Sequence, residues 1–258
     1  AGRTVDSGVS WLPLYHDMGL IGCVLPALEH PGTLTLIPPE LFVARPALWL
    51  RTISRYRATI SPAPNFAYGL CLDKVREDEL DGVDLSCWRV ALNGAEPVAP
   101  RVLRGFCEHF SRWGFRPSAM TPVYGLSEAA LAVTFSPLET PFDSRRFDRE
   151  RLARESLAME SADGVELVSL GRPLPGFALK VVDDDGCELG EDRVGRLLVR
   201  GPSLMEGYLD QPEATAAALR DGWLDTGDLG FLHGGLLFLT GRAKDVLILH
   251  GRNHSPHE

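Results

Sequence analysis

Trp88-Arg89-Val90-Ala91-Leu92-Asn93-Gly94-Ala95-Glu96-Pro97 opens on an apolar run of strand length and closes on a turn of Asn, Gly and Pro. Pro100 follows where a first helical turn tolerates proline, and Val102, Leu103, Phe106 and Phe110 lie behind it at helical spacing. The same order of strand, loop and helix recurs upstream. Residues 32–37 read as a buried strand stopped by Pro38-Pro39, and Pro46 leads a helix bearing Trp49, Leu50, Ile53 and Tyr56. Ala58-Thr59-Ile60 is the next strand, and Pro64-Asn65-Phe66-Ala67-Tyr68 leads into a helix running to Val75. Strands alternating with helices predict parallel strands joined by crossover helices, an α/β fold. Ligands in such sheets sit at the carboxyl ends of strands, where Asn93-Gly94-Ala95 falls.

The composition sets limits on this reading. With 258 residues, 45% hydrophobic and 24% charged, the chain holds one large domain or two modest ones. A net charge of −9 repels polyanions, so small molecules or proteins are the expected partners and nucleic acid is not. Five cysteines without CxxC or zinc spacing read as reduced thiols of a cytoplasmic protein. No apolar run reaches membrane-spanning length, and no signal peptide opens the chain. The start at Ala1 and the stop after Ser255-Pro256-His257-Glu258 read as an interior cut from a longer protein. Only Lys74, Lys180 and Lys244 are lysines, and no GxxxxGK is present, so the stretch contains no P-loop.

Downstream the pattern changes. Residues 136–161 are charged and irregular, and read as an inserted surface segment with one helix at 149–159. After Gly171 strands dominate: 177–182, 194–200, a hairpin of 229–232 and 236–240 around Gly234-Gly235, and 246–249. One alanine-rich helix at 213–219 interrupts them. Asp183-Asp184-Asp185-Gly186 lacks the rest of a calcium loop and reads as a turn. The expected division is an α/β subdomain over 1–169 with an insertion at about 136–168, a β-rich, barrel-like subdomain over 170–240, and a hinge over 241–258 that begins a further domain.

Thr121-Pro122-Val123-Tyr124-Gly125-Leu126-Ser127-Glu128-Ala129 concentrates an aromatic ring, a glycine, a hydroxyl and a carboxylate in one short turn. Such a set can stack a base, let backbone approach a phosphate and hold a divalent cation, but it is also ordinary turn chemistry. Asp225-Thr226-Gly227-Asp228 adds a carboxylate able to accept from a sugar diol, and Gly241-Arg242-Ala243-Lys244-Asp245 adds a guanidinium fork. His16-Asp17 stands before a small-residue apolar run, where a histidine capped into a helix start is the plainer structural reading.

With Gly171-Arg172-Pro173 and Gly207-Tyr208 in order between them, these motifs resemble the adenylate-forming superfamily. More narrowly they are similar to the fatty acyl-AMP ligases, on Leu14-Tyr15-His16-Asp17-Met18-Gly19-Leu20, Ala63-Pro64-Asn65-Phe66-Ala67-Tyr68, Asn93-Gly94-Ala95-Glu96-Pro97 and Gly251-Arg252-Asn253-His254-Ser255-Pro256. The resemblance implies that ATP and a fatty acid give acyl-AMP and pyrophosphate, with Mg2+, and that the acyl group passes to the phosphopantetheine thiol of an acyl carrier protein. It assigns the charged segment to an insertion held to exclude coenzyme A.

The resemblance also assigns residues. Tyr124 would stack on adenine in a pocket lined by Asn93, Gly94, Ala95, Gly125 and Leu126. Ser127 would touch the α-phosphate, Glu128 would hold the metal, and Asp228 and Arg242 would fix the ribose. His16 would lie near the acyl-phosphate junction, Trp11 and Phe66 would line the acyl pocket, and Lys244 would mark the domain hinge. The family's phosphate loop and C-terminal lysine fall outside these 258 residues, which implies weak nucleotide binding and poor catalysis by this stretch alone. An acyl-CoA synthetase and a noncatalytic nucleotide-binding remnant stay open as alternatives.

Overall fold

The computed structural model describes residues 5–244 and, as backbone, the strands at 247–249 and 252–254. The chain forms two compact units, Ala1–Val123 with Pro137–Phe142, and Tyr124–Ser136 with Asp143–Glu258. In the first unit the strands are β1 (Ser7–Ser10), β2 (Thr33–Leu36), β3 (Ile60–Pro64), β4 (Val90–Gly94) and β5 (Met120–Leu126), the last of which runs on into the second unit. They pair in parallel in the order β2-β1-β3-β4-β5. The crossovers carry α1 (Asp17–Gly19), a π-helical turn (Leu20–Val24), α2 (Leu25–Glu29), α3 (Pro39–Ala44), α4 (Ala47–Tyr56), α5 (Asn65–Lys74) and α6 (Pro100–Phe110).

Three differences from the sequence reading have physical causes. The strand expected at Ala58-Thr59-Ile60 lies instead at Ile60–Pro64 and contains two prolines. Its register with β1 is a single pair, Gly8↔Ile60, so the proline end has only β4 beside it and loses no second ladder. β1 itself, Ser-Gly-Val-Ser, has no apolar run and is set by its two neighbours. The small-residue run after His16 is a broken helix, because Pro26 has no N–H to give, and the Leu25 N–H reaches back five residues to the Leu20 carbonyl.

The core of the first unit is aromatic. Trp49 is fully buried and meets Phe42, Tyr68 and Trp88 edge-on at 5.6, 5.5 and 5.1 Å, and its Nε1 donates to Ser61 Oγ at 2.9 Å. Trp11 stacks on Phe42 at 4.0 Å. Cys23, Cys71 and Cys107 sit among these elements as free thiols. Burial pushes all three up, Cys107 to about 12, so none is a thiolate nucleophile at neutral pH.

α4 ends on Arg57 in the left-handed conformation (φ 51°), and Arg57 Nη1 donates to Asp84 Oδ2 at 2.6 Å while the Ser86 N–H donates to Oδ1 at 2.9 Å. The Ser86 hydrogen bonds foremost, with Arg57 after them, pull the Asp84 carboxyl down to about 2. A depressed folded value contributes stability that is present above the unfolded value near 4 and lost as pH falls toward 2. Asp84→Asn is therefore expected to melt below wild type at pH 6 and with it at pH 2. Both side chains face solvent, so the difference is about 1 kcal/mol or less. Thermal scans at the two pH values check this, and a gap that widens in acid would refute it.

In the second unit, β6 (Leu131–Phe135) precedes the charged segment, which folds as β7 (Ser144–Phe147), α7 (Arg149–Glu155) and β8 (Val165–Val168). β7 and β8 pair antiparallel, and Phe147 packs on Phe231 and Phe238 at 4.9 and 5.4 Å. The anchor has a polar half: His233 Nδ1 lies 2.6 Å from Asp192 Oδ1, and its Nε2 lies 3.0 Å from Glu160 Oε1. Then come β9 (Arg172–Pro173), β10 (Ala178–Val182), β11 (Glu188–Leu189), β12 (Gly195–Arg200), α8 (Pro212–Ala218), β13 (Leu219–Arg220), β14 (Trp223–His233) and β15 (Leu236–Arg242). All but β9 and α8 form an antiparallel sheet, β11-β10-β12-β14-β13 with β15 on β14. Trp223 lies under Lys180 and Arg200, 4.4 and 4.8 Å from its ring. β16 (Leu247–Leu249) and β17 (Arg252–His254) pair as a short ribbon. No helix among the described residues is long and apolar enough to cross a membrane.

Candidate functional site

Asp228 and Arg242 are cross-strand partners on β14 and β15, so the sheet register alone brings them together. Asp228 Oδ1 accepts from Arg242 Nε at 2.9 Å, and Oδ2 accepts from the Tyr124 hydroxyl at 2.6 Å. Asp228 and Tyr124 are both buried, whereas Arg242 is 64% exposed. Burial first, then the adjacent Asp228 charge, holds the Tyr124 phenol well above its ordinary range, so it stays a donor. The loop before Asp228 is fixed by its own side chains: Thr226 Oγ1 donates to the Leu197 carbonyl at 2.9 Å and accepts the Asp228 N–H at 3.1 Å. A carboxylate offers about four lone-pair sites. Two donors leave Asp228 with capacity for a ligand hydroxyl.

Tyr124 was expected in a turn and lies instead within β5, with the turn proper at Ser127–Ala129 as one 3-10 segment. Gly125 is required where it stands, since a Cβ there would fall 1.6 Å from the Leu131 carbonyl oxygen. That fold-back is made by Ala130 and Leu131, both at positive φ (55° and 112°). Leu126 is half-buried and Ser127 exposed. Glu128 Oε1 accepts from the Tyr208 hydroxyl at 2.8 Å, a contact the motifs do not announce. Burial, then this bond to Glu128, pushes the Tyr208 phenol up to about 12. Among the described residues no cluster of three or more His, Cys, Asp or Glu could hold a metal. A lone carboxylate suits Mg2+, which is bound through one or two carboxylates plus substrate phosphates.

The first unit places its own candidates at strand ends. Asn93 and Gly94 close β4, and Ala95 follows in the left-handed region at φ 69°, unusual without glycine. Glu96 reaches back to the Phe66 N–H. Asn93 Nδ2 donates to Asn65 Oδ1 at 3.3 Å, and the same oxygen accepts the Ala99 N–H at 3.3 Å, which fixes both amides. Asn93 Oδ1 is buried with no partner, a cost of about 1–3 kcal/mol of the kind functional sites retain. Trp11 is core and meets Phe66 at 5.8 Å, and Phe66 itself is 47% exposed. His16 caps α1 beside Asp17, its Nδ1 2.6 Å from Asp17 Oδ1, and Asp17 Oδ1 takes the Met18 N–H at 2.7 Å. Lys244 is exposed just after β15. Asp245, Gly251, Ser255 and Pro256 of the quoted motifs lie outside the described residues.

The profile of the AMP-binding enzyme family matches residues 3–209. The chain belongs to this family. The matched span of this AMP-binding chain includes Tyr124 and Glu128 and ends before Asp228. The chain is 37% identical over 272 residues to the medium-chain-fatty-acid–[acyl-carrier-protein] ligase JamA of Moorena producens, covering all of this chain and 46% of that protein. It is 44% identical over 261 residues to a Caulobacter vibrioides protein assigned provisionally as an acyl-CoA synthetase, covering 99% and 46%. A solved structure from work on fatty acyl-adenylate ligases of E. coli and L. pneumophila superposes with a TM-score of 0.95 at 40% identity, over 99% of this chain and 47% of that one. The chain spans about half the length of the curated relatives it matches.

Proposed function

We propose that the protein this AMP-binding chain represents activates a fatty acid with ATP to acyl-AMP, for transfer to an acyl carrier protein thiol. The observation that carries the reading is buried Asp228, held between the Tyr124 hydroxyl and the Arg242 guanidinium with acceptor capacity to spare. A carboxylate so fixed is suited to a ribose diol. In the reaction the fatty carboxylate oxygen bonds to the α-phosphorus as the bond to pyrophosphate breaks. Little covalent work falls to protein groups, so position and charge dominate. Asp228 and Arg242 hold the sugar, Tyr124 lies against the base, and Ser127 meets the α-phosphate, while Asn93, Gly94 and Ala95 of the first unit are the further candidates for the nucleotide. Glu128 would hold magnesium, which when bound would neutralise phosphate charge. His16 stands at the acyl end, with Trp11 and Phe66 along the chain, and Lys244 serves as the hinge.

Mass spectrometry of acyl-adenylates formed from ATP and a panel of fatty acids, with and without coenzyme A or a carrier protein bearing its phosphopantetheine arm, tests this. ATP-dependent acyl-AMP and carrier loading are expected. Formation of acyl-CoA would overturn the acceptor, and the JamA-like reading would give way to the synthetase that the Caulobacter relative suggests. Adenosine or AMP binding without any adenylate would favour a noncatalytic remnant.

A further inference from the structure

Glu128 is gripped by one loop, residues 201–208. The Met205 N–H donates to the Glu128 carbonyl at 2.7 Å, Ser203 Oγ donates to the Ala129 carbonyl at 2.7 Å, and the Tyr208 hydroxyl donates to Glu128 Oε1 at 2.8 Å. The backbone contacts fix the turn, and the phenol is this loop's contact with the carboxylate. Tyr208 is itself tethered, because its N–H donates to Thr215 Oγ1 of α8 at 2.9 Å and that hydroxyl donates to the Gln211 carbonyl at 2.9 Å. The loop closes on α8 only because residue 207 is glycine: a Cβ there would lie 2.7 Å from Thr215 Cγ2.

We infer that Tyr208 is a positioning residue that holds the Glu128 carboxylate in its cation-binding orientation, with Thr215 holding Tyr208. A glutamate loses rotamer freedom when ordered, and a rigid donor on one oxygen removes part of that cost before the ligand arrives. The donor occupies Oε1, and a carboxylate's second oxygen suffices for a cation that takes its remaining ligands from phosphate and water. Hydrogen-bonded partners of metal ligands typically set 10–100-fold in metal affinity.

This inference rests on the reading of Glu128 as the magnesium ligand. The test is the ATP dissociation constant of the protein, by calorimetry, in EDTA and in saturating magnesium, the ratio giving the magnesium-dependent gain. Tyr208→Phe is expected to shrink that gain about tenfold and leave the EDTA value unchanged. Thr215→Val, which frees the loop without touching the carboxylate, is expected to give a smaller loss of the same sign. Glu128→Gln is expected to abolish the gain. If Glu128→Gln abolishes it while Tyr208→Phe and Thr215→Val keep it, the role of Tyr208 is overturned. If Tyr208→Phe weakens binding equally in EDTA, its role is structural only and the inference fails. If Glu128→Gln keeps the gain, or wild type has none, the metal reading of Glu128 falls.

Discussion

Trp49→Ala is expected to cost about 3–5 kcal/mol of stability, the range for removing a large aromatic side chain from a packed core. The indole is fully buried, touches Trp11, Phe42, Tyr68 and Trp88, and is the donor to Ser61 Oγ, whose own proton goes to the Val9 carbonyl. Truncation leaves a cavity bounded by rings that cannot collapse without tilting one another, together with a buried hydroxyl short of a donor. For a protein of this size the melting midpoint should fall by about 6–20 °C. Trp49→Phe, which keeps a ring but loses the indole N–H, should lose about 1–2 kcal/mol. A calorimetric shift for Trp49→Ala no larger than that of an exposed residue such as Arg55 would show that the cluster is not the core of the first unit.

Removing the Asp228 carboxylate should have the largest effect on binding. Asp228→Ala leaves the buried Tyr124 hydroxyl and the Arg242 Nε without their shared acceptor. Charge-assisted hydrogen bonds of this type are worth about 1.5–3 kcal/mol, so AMP affinity should fall roughly 10–100-fold. Asp228→Asn keeps the shape and one acceptor but presents an amide N–H2 to one of two donors, and should fall between wild type and alanine. Titration with AMP, alongside a thermal scan showing a folded protein, measures both. Unchanged AMP affinity in Asp228→Ala would remove the observation on which the proposed function stands.

Legibility followed the range of the interaction. The crossover helices α4 and α6 were readable because Trp49, Leu50 and Ile53, or Leu103, Phe106 and Phe110, repeat at helical spacing and become buried. β1 was not, because Ser-Gly-Val-Ser has no pattern of its own and is held by strands 26 and 52 residues away in register. Residues 144–147 looked like part of a solvated charge run, since one apolar residue, Phe147, carries the packing among arginines. At the site, Asp228 and Arg242 were legible as motif residues. The bond from Tyr208 to Glu128 spans 80 positions, and nothing local in Gly207-Tyr208 announces it.

The distribution of indole rings gives the molecule a built-in optical division. Four of its five tryptophans, Trp11, Trp49, Trp88 and Trp113, belong to the first unit, and Trp223 is the lone emitter of the second, lying under two cationic side chains. Intrinsic emission of the wild type therefore reports mainly on the parallel sheet and its helices. A Trp223→Phe protein would emit from the first unit alone. The difference between the two spectra would follow the environment of the antiparallel sheet, with no added label.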